Sequence, residues 1–513
     1  MPTRAASSTS PATLWTTRLD RALPVPLSRQ LAAALRQAIS EGRIGPGARL
    51  PSTRALAGEL GLARSTVVGV FEQLAAEGYI AGKAGSGYFA AAPLSAAAPD
   101  SPAVPSAPRL LSRQAARLRD YLPPPRGLPR PFEPGHAEID PGFIATWKRL
   151  ASRALSGRSS LAWQYGDPQG EPELRRAVAD YLAAARGVRC SPEQIVMISG
   201  TQQGLSLTAQ ILIDPGCAAW VEDPCYRSAW EILTAAEAEI VPVPVDAHGL
   251  DIAAGQRRGQ ANNHGPPRLV YTTPSRQYPL GMAMPLPRRA ALLAWAAAEG
   301  AWVVEDDYES EFQAPGRMLP SLQGLDRAGR VIYLGTFSKL LFPSLRLGYA
   351  VLPEDLLAPF VAARHLADRQ SSGLIQTMMT HFMLDGHFAR HLKRMRSRYA
   401  ERQHFLTELL NVRLGGLLDI PPVESGMYLT AWLPYGWSDR AAAAALAKAG
   451  VAAVPLSSLV LETERRPGLV LGYTGHGEAA MARAVERMAT VLEASTGLIK
   501  ERKLVDQSRL QSS

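Results

Sequence analysis

The chain has 513 residues, a formal net charge of +9 and 46% hydrophobic residues. Its length exceeds one ordinary domain and accommodates a small and a large one, each with its own core. The basic balance permits a polyanionic partner without requiring one, while three cysteines, Cys190, Cys217 and Cys225, without CxxC spacing argue against a disulfide scaffold or zinc module and favour a reducing, cytoplasmic setting.

Residues 1–20 are rich in Ser, Thr, Ala and Pro, lack the apolar core of a secretory signal, and read as a disordered tail. In 21–92, Leu27, Leu31, Leu35 and Ile39 recur at helical spacing, Gly42 and Gly45-Pro46-Gly47 break the run, and Pro51-Ser52 opens a second helix. A third helix follows Gly61, with Ser65-Thr66 capping it or lying in its first turn, Val67, Val68, Phe71 and Leu74 as its buried stripe, and Gly78 at its end. Tyr79-Ile80 and Gly87-Tyr88-Phe89 then flank a turn as two short strands. Helix, helix, helix, hairpin is the order of a winged helix-turn-helix, mainly α with a β-hairpin wing.

Residues 93–131 turn to Ala, Pro and Ser, the composition of a stiffened linker. Arg109, Arg113, Arg117 and Arg119 there either line a phosphate backbone or form a solvated basic face. From 132 to 495 helical and strand signals alternate: a helix over Val178–Ala185 and strands over Ile195–Ile198, Ala218–Val221, Leu269–Tyr271, Trp302–Glu305 and Val331–Leu334. Such alternation implies an α/β domain on a largely parallel sheet, with functional residues at the strand ends. The greasiest stretch, 290–304, is cut short by Glu305-Asp306-Asp307, so no membrane span is expected. Residues 496–513 read as a tail.

Leu50-Pro51-Ser52-Thr53-Arg54-Ala55-Leu56-Ala57, Leu62-Ala63-Arg64-Ser65-Thr66-Val67, Leu74-Ala75-Ala76-Glu77-Gly78-Tyr79-Ile80 and Gly85-Ser86-Gly87-Tyr88-Phe89 together resemble the GntR family of bacterial winged-helix regulators. The resemblance implies double-stranded DNA as a partner. Arg64, Ser65 and Thr66 stand at the start of a recognition helix, and Arg54 and Lys83 are placed for backbone contacts. The bland alternative is a small helical oligomerisation module.

In the larger segment, Gly335-Thr336-Phe337-Ser338-Lys339, followed by Ser344-Leu345-Arg346-Leu347-Gly348, resembles the cofactor-anchoring run of fold-type I pyridoxal-phosphate (PLP) enzymes, an α/β aminotransferase-like fold with a smaller C-terminal α+β subdomain. The resemblance gives Lys339 the internal aldimine and makes Thr336, Ser338 and Arg346 a phosphate cup. Ser199-Gly200-Thr201-Gln202-Gln203-Gly204 follows a strand and opens a helix, so Thr201 and Gln202 can join that cup. Tyr226 would stack on the pyridine, Asp306 would pair with its nitrogen, with Asp307 the competing choice, and Tyr308 would reach its phenolic oxygen. Tyr165, in Tyr165-Gly166-Asp167-Pro168-Gln169-Gly170, would reach the phosphate of a neighbouring subunit, which implies a homodimer.

Both halves together resemble the MocR subfamily of GntR regulators, in which a PLP-binding domain senses an effector: an amine, an amino acid or PLP itself, through Lys339. The alternative is a catalytically active aminotransferase. Two departures from the enzymes bear on that choice. The run Pro467-Gly468-Leu469-Val470-Leu471-Gly472-Tyr473 carries no arginine to clamp a substrate carboxylate, leaving Arg465 and Arg466 just upstream as candidate substitutes. Arg276, in Thr273-Pro274-Ser275-Arg276-Gln277-Tyr278, stands where the regulators commonly show histidine. Asp385, His387 and His391 have metal-compatible spacing but read as a solvated helix face, and the neighbouring basic residues as an ion-paired surface.

Overall fold

The computed structural model describes residues 19–91, 127–156, 163–261, 265–313, 319–422 and 426–510, together with 111, 112, 115, 118 and 121; side chains are described as far as 494. Of the expected tail over 1–20, residues 1–18 lie outside the described residues, as do most of the linker and its four arginines, whereas Asp20 is hydrogen-bonded to Gln30 of the first helix. The chain divides into two compact units, Met1–Leu110 and Leu111–Ser513.

The first unit runs α1 (Leu27–Ser40), α2 (Thr53–Leu60), α3 (Arg64–Ala76), then a hairpin of β1 (Ile80–Lys83) and β2 (Gly87–Ala90). The Ser52 hydroxyl accepts the Ala55 N–H at 3.1 Å and so caps α2. Gly61, at φ +61, ends α2 in the left-handed region and turns the chain into α3. Ala63 is the N-cap of α3, so Ser65 and Thr66 lie in its first turn and do not cap it. Its buried stripe is Val67, Val70, Phe71 and Leu74, with Val70 in the place expected for Val68, because i, i+3, i+4, i+7 is the face that meets α1 and α2. Arg36 on α1 grips Glu77 beyond α3 with two bonds of 2.6 and 2.7 Å.

The second unit is built on an eight-stranded sheet in the order β3-β10-β9-β8-β7-β4-β5-β6. Its strands are β3 (Ile195–Ile198), β4 (Ala218–Asp223), β5 (Glu239–Asp246), β6 (Gly249–Leu250), β7 (Leu269–Thr272), β8 (Trp302–Asp307), β9 (Val331–Thr336) and β10 (Gly348–Val351). β4, β5, β7, β8 and β9 run parallel, whereas β10 is antiparallel to both its neighbours. Residues 337–347 hold only a single 3-10 turn, too little for the crossover a parallel return needs. Successive residues of β8 serve opposite faces: Val303 packs with Trp220, Val270 and Leu292, and Val304 with Tyr271, Leu205 and Phe360.

Helices α4 (Pro141–Ser156), α5 (Pro172–Arg186), α6 (Thr201–Leu212), α7 (Arg227–Ala235), α8 (Ile252–Ala261), α9 (Leu286–Glu299), α10 (Glu354–Asp368), α11 (Gly373–Leu384) and α12 (His387–Leu414) connect and flank these strands. A smaller antiparallel sheet follows, β11 (Tyr428–Trp432), β13 (Gly468–Gly472) and β12 (Val454–Pro455) in that order, with α13 (Asp439–Lys448) and α14 (Glu478–Leu510). α14 continues through position 495, where the sequence reading ends the domain. His391 corrects the expectation of a solvated face: it is 3% exposed, hydrogen-bonded to the Leu340 carbonyl at 3.0 Å, and packed against Phe143 and Phe382. The outward side of α12 is ion-paired, Arg394 with Asp140 and Arg398 with Glu138. Among the described residues no helix is long and apolar enough to cross a membrane.

Candidate functional site

The end of β8 delivers two adjacent aspartates to different surroundings, because strand side chains alternate faces. Oδ2 of Asp307 accepts from Arg186 at 2.8 Å and from the Tyr333 hydroxyl at 2.6 Å, an ion pair whose side chains are each 1% exposed. Asp306 faces the Lys339 charge instead of a guanidinium. Its Oδ2 accepts from the Tyr271 hydroxyl at 2.7 Å, and its Oδ1 is buried with no hydrogen-bond partner among the described residues. Burial pushes the Asp306 carboxyl up to about 7, against the opposing pull of the Tyr271 hydroxyl and the Lys339 charge. Both aspartates thus keep one unpartnered oxygen, but only Asp307 has its charge neutralised by a guanidinium.

Lys339 follows β9 and lies under a glycine. A Cβ added at Gly135, whose φ is +88, would stand 2.5 Å from the Lys339 nitrogen. Three residues earlier than Lys339, Thr336 is 6% exposed and its hydroxyl accepts the Ser338 N–H at 3.1 Å; Ser338 is 7% exposed and its own hydroxyl is buried without a hydrogen-bond partner. The start of α6 comes to the same place. Gly200 takes φ +115, no side chain caps the helix, and a Cβ at Gly200 would stand 3.4 Å from the Arg346 guanidinium. A helix start without a side-chain cap, an arginine and a serine hydroxyl without a hydrogen-bond partner are groups that can hold an anion. Thr201 opens that helix half-buried, and Gln202 beside it is exposed.

Tyrosines wall the space beside the lysine. Tyr278 stands edge-on to Tyr226, Tyr308 and Tyr428 at centroid distances of 6.2, 6.1 and 5.3 Å. The Tyr308 hydroxyl is already engaged, 3.1 Å from the Arg276 carbonyl and 2.7 Å from the Tyr428 hydroxyl. Arg276 and Glu309 form a buried ion pair at 2.6 Å. Glu309 is pushed up to about 7 by burial, with Arg276 and Lys339 opposing. Tyr165 is not part of this cluster within one chain: it is 79% exposed, with Arg369 stacked 4.7 Å above its ring. Of the two upstream arginines, Arg465 lines a cavity together with Arg276 and Tyr428, and Arg466 is not part of its lining. Arg465 donates to the Asp223 and Val245 carbonyls, and Arg466 to the Leu433 carbonyl and Asp419. Reasoning on sequence missed Gly135, Tyr271 and Tyr428, whose partners lie far away along the chain.

In the first unit Arg54 on α2, Arg64 and Ser65 at the start of α3, and Lys83 on the wing are exposed, and Thr66 is half-buried. Lys83 sits 5.1 Å over the Phe89 ring, which holds the wing cation in place. Among the described residues no carboxylate is hydrogen-bonded to any of these side chains.

Residues 27–89 match the family described as bacterial regulatory proteins, gntR family, and residues 141–488 match aminotransferase class I and II. A probable rhizopine catabolism regulatory protein of Rhizobium meliloti, MocR, is 38% identical over 94% of this chain and 98% of its own length. The chain belongs to the MocR-type GntR family of transcription regulators. The HTH-type regulator TauR of Rhodobacter capsulatus is 34% identical over 75% of the chain and 79% of its own length. Among solved structures, the α-aminoadipate aminotransferase LysN of Thermus thermophilus, complexed with N-(5'-phosphopyridoxyl)-L-leucine, matches 72% of this chain and 92% of its own with TM-score 0.65 and 28% identity.

As a MocR-type regulator the protein pairs a DNA-binding winged helix with an aminotransferase domain, and the second family implies PLP. The residues present fit that group. A buried, unpartnered carboxylate oxygen on Asp306 suits a protonated ring nitrogen, and the unpartnered Ser338 hydroxyl beside Arg346 and the uncapped α6 suits a phosphate.

Proposed function

We propose that the regulator reads a primary amine, an amino acid or PLP itself at Lys339 and alters transcription by changing its affinity for an operator. When bound, PLP supplies an aldehyde that captures primary amines and a ring that accepts electron density. Lys339 would supply the amine that anchors it, and Asp306 would hold a proton toward the ring nitrogen. Thr201, Gln202, Thr336, Ser338 and Arg346 would bind the phosphate, Tyr226 would lie against the ring, and Tyr308 would face its phenolic oxygen. Tyr165, exposed in one chain, would complete the site of a second copy in a homodimer, a symmetry that also suits paired DNA half-sites. Arg64, Ser65 and Thr66 would enter the major groove, with Arg54 and Lys83 on phosphates. A cytoplasmic setting goes with this reading.

The observation that carries the proposal is the Asp306 oxygen, buried and unpartnered beside Lys339, on a chain that also presents a winged helix. The test is binding of the full chain to DNA from upstream of its own gene, with and without PLP, against a scrambled duplex across a salt series. Selective binding that PLP changes, and that Lys339→Ala no longer lets PLP change, supports the reading. Unselective, steeply salt-dependent binding sinks it, and keto-acid production with turnover would point instead to an enzyme.

A further inference from the structure

We propose that the second unit carries a further ligand site, distinct from the Lys339 pocket, that takes a small monocarboxylate with an apolar body. This goes beyond the reading above and does not depend on it. A cavity of about 680 Å³ lies where the end of β5, the segment after β7 and the strand β11 of the small sheet come together. That volume is typical of small-molecule sites. Two guanidinium groups line it, those of Arg276 and Arg465, whereas Lys339 and Asp306 are not part of its lining. Arg276 is 5% exposed, and its Nε stands 2.6 Å from Oε1 of Glu309, yet neither atom makes a hydrogen bond among the described residues. Arg465 donates through one terminal nitrogen to the carbonyls of Asp223 and Val245, and its Nε is buried without a hydrogen-bond partner among the same residues. Buried donors of this kind are rare and costly, and a carboxylate oxygen is the acceptor that gains most from a guanidinium.

The charges around the cavity select the kind of anion. Asp246, the one carboxylate among the described lining residues, is already held by Arg288 at 2.8 Å and by the His248 N–H at 2.7 Å. Arg276 is balanced by Glu309. Arg465 is bonded to carbonyl oxygens, and the neighbouring Asp223 carboxylate is spent on the N–H groups of Leu461, Glu462 and Thr463 at 2.9, 2.9 and 2.7 Å. One guanidinium is therefore left without a carboxylate of its own among the described residues. A single such charge suits a monoanion, while a phosphate dianion would bring excess negative charge beside Asp246 and Glu309. Leu280, Met282 and Trp432 make part of the wall apolar, which suits an aliphatic or aromatic body. The cavity backs onto the tyrosines beside the lysine through Tyr428, whose ring lies 4.9 Å under the Arg276 guanidinium and whose hydroxyl is 2.7 Å from that of Tyr308.

The experiment titrates the full chain, with and without PLP, with three probes built on one ring: benzoate, benzyl alcohol and phenyl phosphate. Heat of binding is read at pH 8 and fixed ionic strength. Benzoate is expected to bind at least tenfold tighter than either of the others, in the presence of PLP as in its absence. Arg465→Met should weaken benzoate at least tenfold, whereas Arg466→Met, a neighbouring charge outside the lining, should leave it within about twofold. Met282→Trp fills the apolar wall and alters no charge, so it too should weaken benzoate at least tenfold, and it decides the matter if Arg465→Met fails to fold. Benzoate that binds no tighter than benzyl alcohol, or as well to both variants as to wild type, overturns the inference. Phenyl phosphate as the tightest ligand overturns the monocarboxylate class. Benzoate binding that PLP abolishes would put the probe in the Lys339 pocket and also overturns it. Failure of PLP itself to bind leaves this inference standing, since the cofactor-free titration is read separately.

Discussion

The two units present their working side chains in opposite ways. In the winged helix Arg54, Arg64, Ser65 and Lys83 are exposed, and the core beneath them, Leu35, Val67, Phe71 and Leu74, is complete without them. In the aminotransferase unit the centre of the working set is interior, since Asp306, Ser338, Arg276 and Glu309 are each buried, and only its edge, Gln202, Arg346 and Tyr165, is exposed. Function and stability can vary separately in the first unit and are tied together in the second, either as allies or as opponents.

The largest expected effect lies where they are allies. Arg186→Ala leaves Asp307 buried without its cation, which costs about 3–5 kcal/mol; chemical denaturation of the full chain should show it, and a loss under 1 kcal/mol would mean the pair is not worth its burial. Next comes the place where they oppose. Burial pushes Asp306, Glu309 and Glu311 each up to about 7, so the cofactor-free fold holds protons that an unfolded chain has released. Stability from this source is fully present below the ordinary carboxylate range and is lost as pH rises toward 7. Asp306→Asn should accordingly stabilise the cofactor-free protein at pH 8, on the order of 2–4 kcal/mol from ~1.4 kcal/mol per unit of displacement, and should do nothing at pH 4. The same change should weaken PLP binding. Melting curves at the two pH values check the first half; a variant less stable than wild type at pH 8 would contradict it.

The smallest effect on stability belongs to the exposed unit. Arg64→Ala should leave unfolding unchanged within ~0.5 kcal/mol while lowering operator affinity tenfold or more and flattening its salt dependence by about one. A fall in melting temperature to match the lost DNA binding would show that the two units do not differ in the way described.

What could be read from the sequence follows the same division. The order of helices and wing is local, set by Ser52, Gly61, Gly78 and the apolar spacing, and the strand ends carrying Asp306 and Lys339 are marked by apolar runs that stop at polar residues. What could not be read depends on residues distant in the chain. Tyr271 reaches Asp306 only because β7 lies beside β8, and Gly135 reaches Lys339 across about half the length of the second unit. Arg276 is visible as an unusual residue, but its capture by Glu309 is not. His391 repeats that lesson, since only the packing of α12 against α4 and α11 decides which side of that basic helix is buried.

Arg346 carries a consequence for descent. Its backbone sits at φ +49, in the left-handed region that glycine or asparagine enters more readily than arginine, at a cost of about 1–2 kcal/mol. Its side chain stands beside Gly200 at the anion cup. Glycine at this position would relax the turn and discard the guanidinium in one step. A lineage that stopped holding an anion would gain stability by that substitution, so position 346 is where drift would first record the change of trade.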